Sequence, residues 1–118
     1  MPQETPGIPA GDLPLLPLRN GVLFPGTSTT IPVGRPRSVA LAKSLSRNDL
    51  VLIGTQLDVS TVEPGIQDLA PIATLARVQR VVDAGRGRYR LLVEGQRRVA
   101  LKELVDTRPF LVVRASPF

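Results

Sequence analysis

Apolar and polar residues alternate along most of the second half of this chain, and the places where the alternation slips are informative. From Pro71 to Val82, Ile72, Ala76, Val78 and Val82 share one parity while Arg77 and Gln79 take the other. This is the two-residue period of a half-buried strand. Leu75 and Arg80 break it, so the strand is predicted to bend or bulge. "DAGRG" (Asp83 to Gly87) predicts a hairpin loop. After it, Tyr89, Leu91 and Val93 face one way and Arg88, Arg90 and Glu94 the other. Gly95 interrupts this run. Arg97, Val99 and Leu101 then alternate with Arg98, Ala100 and Lys102, and "PFLVVRA" (Pro109 to Ala115) reads as a last strand.

The first half is less regular. Leu13 to Leu18 is a short apolar segment whose Pro14 and Pro17 cannot donate to a ladder, which predicts an edge or interrupted strand. "RNG" (Arg19 to Gly21) and Pro25-Gly26 signal turns around "VLFPG". Thr27 to Gly34 is β-branched and strand-like. A helix is predicted over about residues 36–47, with Pro36 at its first position. Leu41, Ala42 and Leu45, with Ser38 one turn earlier, form its apolar face, and Asn48 can end it in a left-handed conformation. "LVLIGTQ" (Leu50 to Gln56) is a continuous apolar run, the mark of a central strand covered on both faces. Leu57 to Leu69 holds Pro64-Gly65 and acids, a long connection of the kind that often carries function.

One helix among six or seven strands gives an α+β, mainly β, fold class. The expected architecture is a strongly twisted, antiparallel sheet curling into a partly open barrel. Residues 1–12 read as a Pro/Gly-rich flexible leader and 13–118 as one β-rich lobe. The ending "RASPF", directly after a strand, suggests a piece of something longer.

Composition then narrows the chemistry. The core must be built from aliphatic side chains, since 42% of residues are hydrophobic but only 3% aromatic. There is no Cys and no His, which removes thiol and imidazole catalysis, disulfides and most metal sites. A Ser–Lys pair would need a buried lysine, and Lys43, beside Ser44, reads as a solvated helix residue. Glu63 and Asp68 read as solvated loop acids. No apolar run reaches the ~18 residues of a spanning helix, so no membrane partner is expected.

The net charge of +5 is unevenly spread. Asp49 to Asp68 holds four acids and no base, whereas Arg77 to Lys102 holds eight bases and two acids. Arg86, Arg88, Arg90 and Arg98 are candidate contacts for phosphate or nucleic acid, which makes a basic nucleic-acid-binding barrel the alternative function. Tyr89 is the only aromatic there and shares parity with Leu91, so stacking on bases has little support. "VLFPG" offers a different surface. Phe24 either folds back to plug a barrel end or joins an exposed apolar patch of the kind that binds other chains.

The segments "LPLLPLRNGVLFPG", "IPVGRPRSVAL", "VLIGTQ", "EPGIQDLAPIATLARV" and "YRLLVEGQRRVAL" occur in that order between Leu13 and Leu104. Together they resemble the start of the N-terminal domain of Lon-type ATP-dependent proteases, with "LPLRN", "VGR" and "VEGQRR" the most telling. The resemblance implies a β-rich lobe that selects unfolded or damaged proteins and is not itself catalytic. It implies a parent that is a cytoplasmic, homohexameric AAA+ Ser–Lys endopeptidase, with ATP and Mg bound in an ATPase module not found in these residues. No cofactor is expected for this chain.

Under that reading the substrate contacts are Val22, Leu23, Phe24 and Pro25, with Ile66 and Leu69 from the long loop. The same patch could instead join N domains within the hexamer. Two departures from the family pattern are the Pro/Gly leader and a more basic "DAGRGRYR" hairpin, which keeps DNA in view as a partner.

Overall fold

A computed structural model describes residues 12–118; the expected leader, apart from Asp12, lies outside them. Six strands form, where the pattern allowed six or seven. They are β1 (Leu13–Leu18), β2 (Ser28–Val33), β3 (Leu50–Thr55), β4 (Ile72–Gly85), β5 (Arg88–Asp106) and β6 (Leu111–Pro117). One helix, α1 (Pro36–Ser44), and a short 3-10 turn (Ile66–Asp68) complete the elements of the described residues. The sheet runs β2-β5-β4-β3-β1-β6, and β5 also pairs with β6. β5, β4, β3, β1 and β6 therefore close a ring, while β2 lies outside it against β5.

The ring closes because β5 is long and bent. Its first half pairs with β2 and β4 and its second half with β4 and β6. The bend sits where Ala76 opposes Gly95 and Leu75 opposes Arg97, leaving Gln96 as the extra residue of a bulge. A second bulge places Gln79 between the Val78–Val93 and Arg80–Leu92 pairs. That slip reverses the parity of β4, so Val81, not the expected Val82, packs against the core. At the hairpin tip Arg86 (φ 58°) and Gly87 (φ 74°) are both left-handed, as a two-residue turn between twisted strands requires.

β1 is not an edge strand. It lies between β3, to which it runs parallel, and β6. The mostly antiparallel sheet that the pattern predicts thus contains one parallel pair. The prolines fit because the two pairings overlap only at Leu15. The Leu18 carbonyl accepts from Gln56 N–H on the β3 side (2.8 Å), and the Pro17 carbonyl accepts from Arg35 on the other (2.7 Å). Backbone directions alternate along a strand. Pro17 thus turns its ring nitrogen to the side that β6 does not reach, and Pro14 turns its own toward β3 ahead of Leu15, where pairing with β3 starts.

β3 is covered on both faces, as its continuous apolar run predicts. Val51 and Ile53 join one cluster with Leu16, Ile31, Val33, Leu91, Val93 and the helix residues Leu41, Ala42 and Leu45. Leu52 joins the second with Leu15, Leu75, Val99, Leu111 and Val113. The helix ends earlier than expected: Leu45 is already extended (ψ 146°). Asn48 is left-handed (φ 76°) but lies in the following turn, where the Ser46 N–H donates to the Asp49 carboxylate (2.8 Å).

Candidate functional site

The loop from Arg19 to Thr27 lies across the bend in β5. Gly26 N–H donates to the Gly95 carbonyl (2.8 Å), and Gly95 N–H donates to the Thr27 carbonyl (2.8 Å). The loop backbone is so close that a Cβ on Gly95 would stand 2.5 Å from the Phe24 carbonyl oxygen. The same carbonyl accepts the Thr27 hydroxyl (2.6 Å). One residue earlier, the Leu23 carbonyl accepts the hydroxyl of buried Thr74 (2.6 Å). At its start, the Gly21 carbonyl accepts the Thr55 hydroxyl (2.9 Å).

These anchors split the expected patch. Val22 is 50% exposed and Phe24 54%, and Pro25 is exposed with them. Leu23 is only 4% exposed and belongs to the helix-side cluster. It is a correction to the expected contact set, because consecutive residues of an extended segment point in opposite directions. Leu69 is likewise corrected: it is 3% exposed and sits in the second cluster. Ile66 is half-buried against that cluster. In the long loop it is Leu57, Val59 and Val62 that face solvent.

The Phe24 ring does not plug the barrel. The Arg98 guanidinium carbon stands 5.5 Å from its centroid, a cation–π contact that steadies the ring at the surface. Arg98 is therefore part of the apolar patch, while the other expected anion contacts lie elsewhere. Arg86 is at the hairpin tip, and Arg88 and Arg90 are exposed on β5. Arg90 and Arg98 are separated by up to roughly 25 Å of strand. By register, Arg90, Leu92 and Glu94 oppose Val82, Arg80 and Arg77, so Arg77 and Arg80 extend the basic face.

Sequence reading missed a polar node beneath the long loop. Arg35 donates to the Gln56 side-chain oxygen, and Gln56 donates to the Asp58 (3.1 Å) and Thr61 (2.9 Å) carbonyls. Arg37 pairs with Glu63 (3.2 Å) across the same gap. Burial lowers the pKa of Arg35, and nearby Arg19 lowers it further. The available signal was an arginine at the helix entrance and a glutamine ending an apolar strand. The Asp58 carboxyl is held below its ordinary range by hydrogen bonds from Ser60. Among the described residues no group of three or more carboxylates gathers to hold a metal ion, and no helix is long and apolar enough to cross a membrane.

Residues 12–118 match the family described as the ATP-dependent protease La (LON) substrate-binding domain. Lon protease 4 of Sorangium cellulosum is 48% identical over 101 residues, 86% of this chain and 12% of that protein. Lon protease 2 of Myxococcus xanthus is 40% identical over 105 residues, 88% of this chain and 13% of its own length. The N-terminal domain of a Mycobacterium avium complex Lon protease shares the fold, with a TM-score of 0.67 at 16% identity over 92% of this chain and 55% of that one. The Xanthomonas campestris Lon N-terminal domain protein superposes with a TM-score of 0.64 at 26% identity, over 90% of this chain and 59% of that one. The chain thus spans about one eighth of the relatives named here (12% and 13%), and it belongs to the substrate-binding domain family of Lon proteases.

Proposed function

We propose that this domain captures unfolded or damaged proteins for a Lon-type parent through the apolar tip formed by Val22, Phe24 and Pro25. In this reading the parent is a cytoplasmic homohexamer whose ATPase module binds ATP and Mg and whose Ser–Lys peptidase cuts what the N domains deliver. The supporting observation is Phe24. It is more than half exposed on a loop held by its backbone, so its ring is presented without being needed by the core. Unfolded chains differ from folded ones by exposing apolar side chains, and a fixed apolar tip recognises that difference weakly and broadly.

Anisotropy of a fluorescein-labelled, reduced and carboxymethylated protein tests the reading. Phe24→Ala should weaken binding by about tenfold at unchanged stability. Binding should persist in high salt. Phe24→Ala binding like the parent chain would refute the tip assignment. A different outcome, sedimentation showing that the tip joins copies of the domain, would favour its use between N domains of the hexamer.

The basic face of Arg77, Arg80, Arg88 and Arg90 favours a second reading, nucleic-acid binding. It would give affinity that falls steeply with salt and is lost in an Arg88→Ala/Arg90→Ala variant.

A further inference from the structure

β2 pairs with β5 on one side and, among the described residues, with no strand on the other. The phase of that ladder is set by Gly95 N–H donating to the Thr27 carbonyl. Counting along the register, Thr29, Ile31 and Val33 exchange hydrogen bonds with Val93, Leu91 and Tyr89. Ser28, Thr30 and Pro32 therefore turn their backbone groups outward. No other backbone hydrogen bond among the described residues involves these three. Their free groups are the Ser28 and Thr30 N–H and the Ser28, Thr30 and Pro32 carbonyls.

This edge borders a groove. Its other wall is the β1–β2 connection, where Leu18, Asn20, Gly21 and Val22 face Thr29 and Ile31 across a cavity of about 420 Å³. The groove continues past Pro32 into a second cavity of about 540 Å³ that Arg19, Arg35 and Arg88 line. Arg35 is engaged by neutral oxygens of Pro17 and Gln56. None of the ion pairs among the described residues involves these three arginines. The groove thus offers backbone donors and acceptors along one wall and uncompensated positive charge at one end.

We propose that an extended segment of the client polypeptide pairs with the free edge of β2, its carboxylate-bearing end lying among Arg19, Arg35 and Arg88. The proposal rests on the substrate-capture reading and names how the captured chain is held. Main-chain pairing accepts any sequence that is extended, and only an unfolded segment has such groups free. The carboxylate sets direction. It comes from an acidic side chain or from a chain terminus.

The test uses a fluorescein-labelled Thr-Val-Thr-Val-Asp amide, its Asn counterpart with a free C-terminus, and the Asn amide. Binding to the 118-residue chain is followed by anisotropy, and Ser28 and Thr30 amide exchange by NMR. The Asn amide should bind about tenfold more weakly than whichever carboxylate peptide is preferred, which also identifies the source of the charge. Ser28 and Thr30 amides should become slow to exchange on binding, while those of Thr29 and Ile31 are slow beforehand. Thr30→Pro removes one outward N–H and no bond to β5, repeating the pattern already present at Pro32, and should weaken binding about tenfold. Unprotected Ser28 and Thr30 amides in a saturated complex would overturn the proposal and leave substrate capture standing. So would dimerisation through this edge that blocks the peptide. Failure of the parent chain to bind these peptides and the carboxymethylated protein alike would overturn both.

Discussion

The loop from Arg19 to Thr27 is fastened at its tip by backbone bonds to Gly95, whereas the loop from Leu57 to Leu69, closed at its base by the Leu57 N–H donating to the Asp68 carbonyl (2.9 Å), is fastened between its ends by the Gln56 side chain. In the first, amides and carbonyls of Phe24, Gly26 and Thr27 meet Gly95 and one another, leaving the Phe24 ring outside under Arg98. In the second, Gln56 reaches two loop carbonyls and the Asp68 carboxylate accepts the Gly65 N–H (2.8 Å). Both loops bury one leucine, Leu23 or Leu69, and expose apolar neighbours. A backbone-pinned loop can change its outward side chains without loosening. The middle of the second loop, at Asp58 and Thr61, depends on the identity of one glutamine. The first arrangement suits a binding tip, the second a cover for the sheet.

The largest expected effect comes from unseating the first loop. Gly95→Val puts a side chain against the Phe24 backbone, which cannot move aside as a flexible side chain would. Urea unfolding should show a loss of about 3 kcal/mol. Next is the contrast between adjacent residues. Leu23→Ala should cost about 3 kcal/mol as a core truncation, whereas Phe24→Ala should change stability by less than about 0.5 kcal/mol. Equal costs would erase the distinction between anchor and tip. Gln56→Ala should cost about 1–2 kcal/mol and speed proteolysis within Leu57–Leu69 while sparing Arg19–Thr27. Arg98→Ala removes the contact with Phe24 from its other side, so it should also cost less than about 0.5 kcal/mol, and it should broaden the Phe24 ring resonances in NMR spectra. The smallest effect concerns pH. No histidine is present to titrate near neutrality, so stability should be flat from about pH 6 to 8. The lowered pKa of Asp58 means that its contribution is present above the ordinary carboxylate range and is lost as pH falls through the folded value.

Strand positions and the doubly covered β3 were legible because burial on one or two faces leaves a period in the sequence. The bulges at Gln79 and Gln96 were only half legible: a broken alternation says that a strand slips, not where the extra residue goes. The parallel β1–β3 pair had no local signal, since it depends on α1 returning the chain beside β1. At the site, the apolar tip was legible from composition, but which of its residues face out was not. That depended on Gly95, 71 residues beyond Phe24 though plain in "VEGQRR" as a residue without a side chain. The expected cluster of four arginines failed as a unit because Arg98 lies beyond the bend in β5, stacked on Phe24.

The chain contains no tryptophan, so Phe24→Trp creates a single reporter at the tip. Its emission should be that of a solvent-exposed indole in the free domain. It should shift to the blue when a tryptophan-free unfolded polypeptide is added and return when that polypeptide is competed away by the unlabelled parent domain. Emission that stays unchanged while anisotropy reports a saturated complex would contradict the account, because the client would then be held somewhere that the tip does not touch.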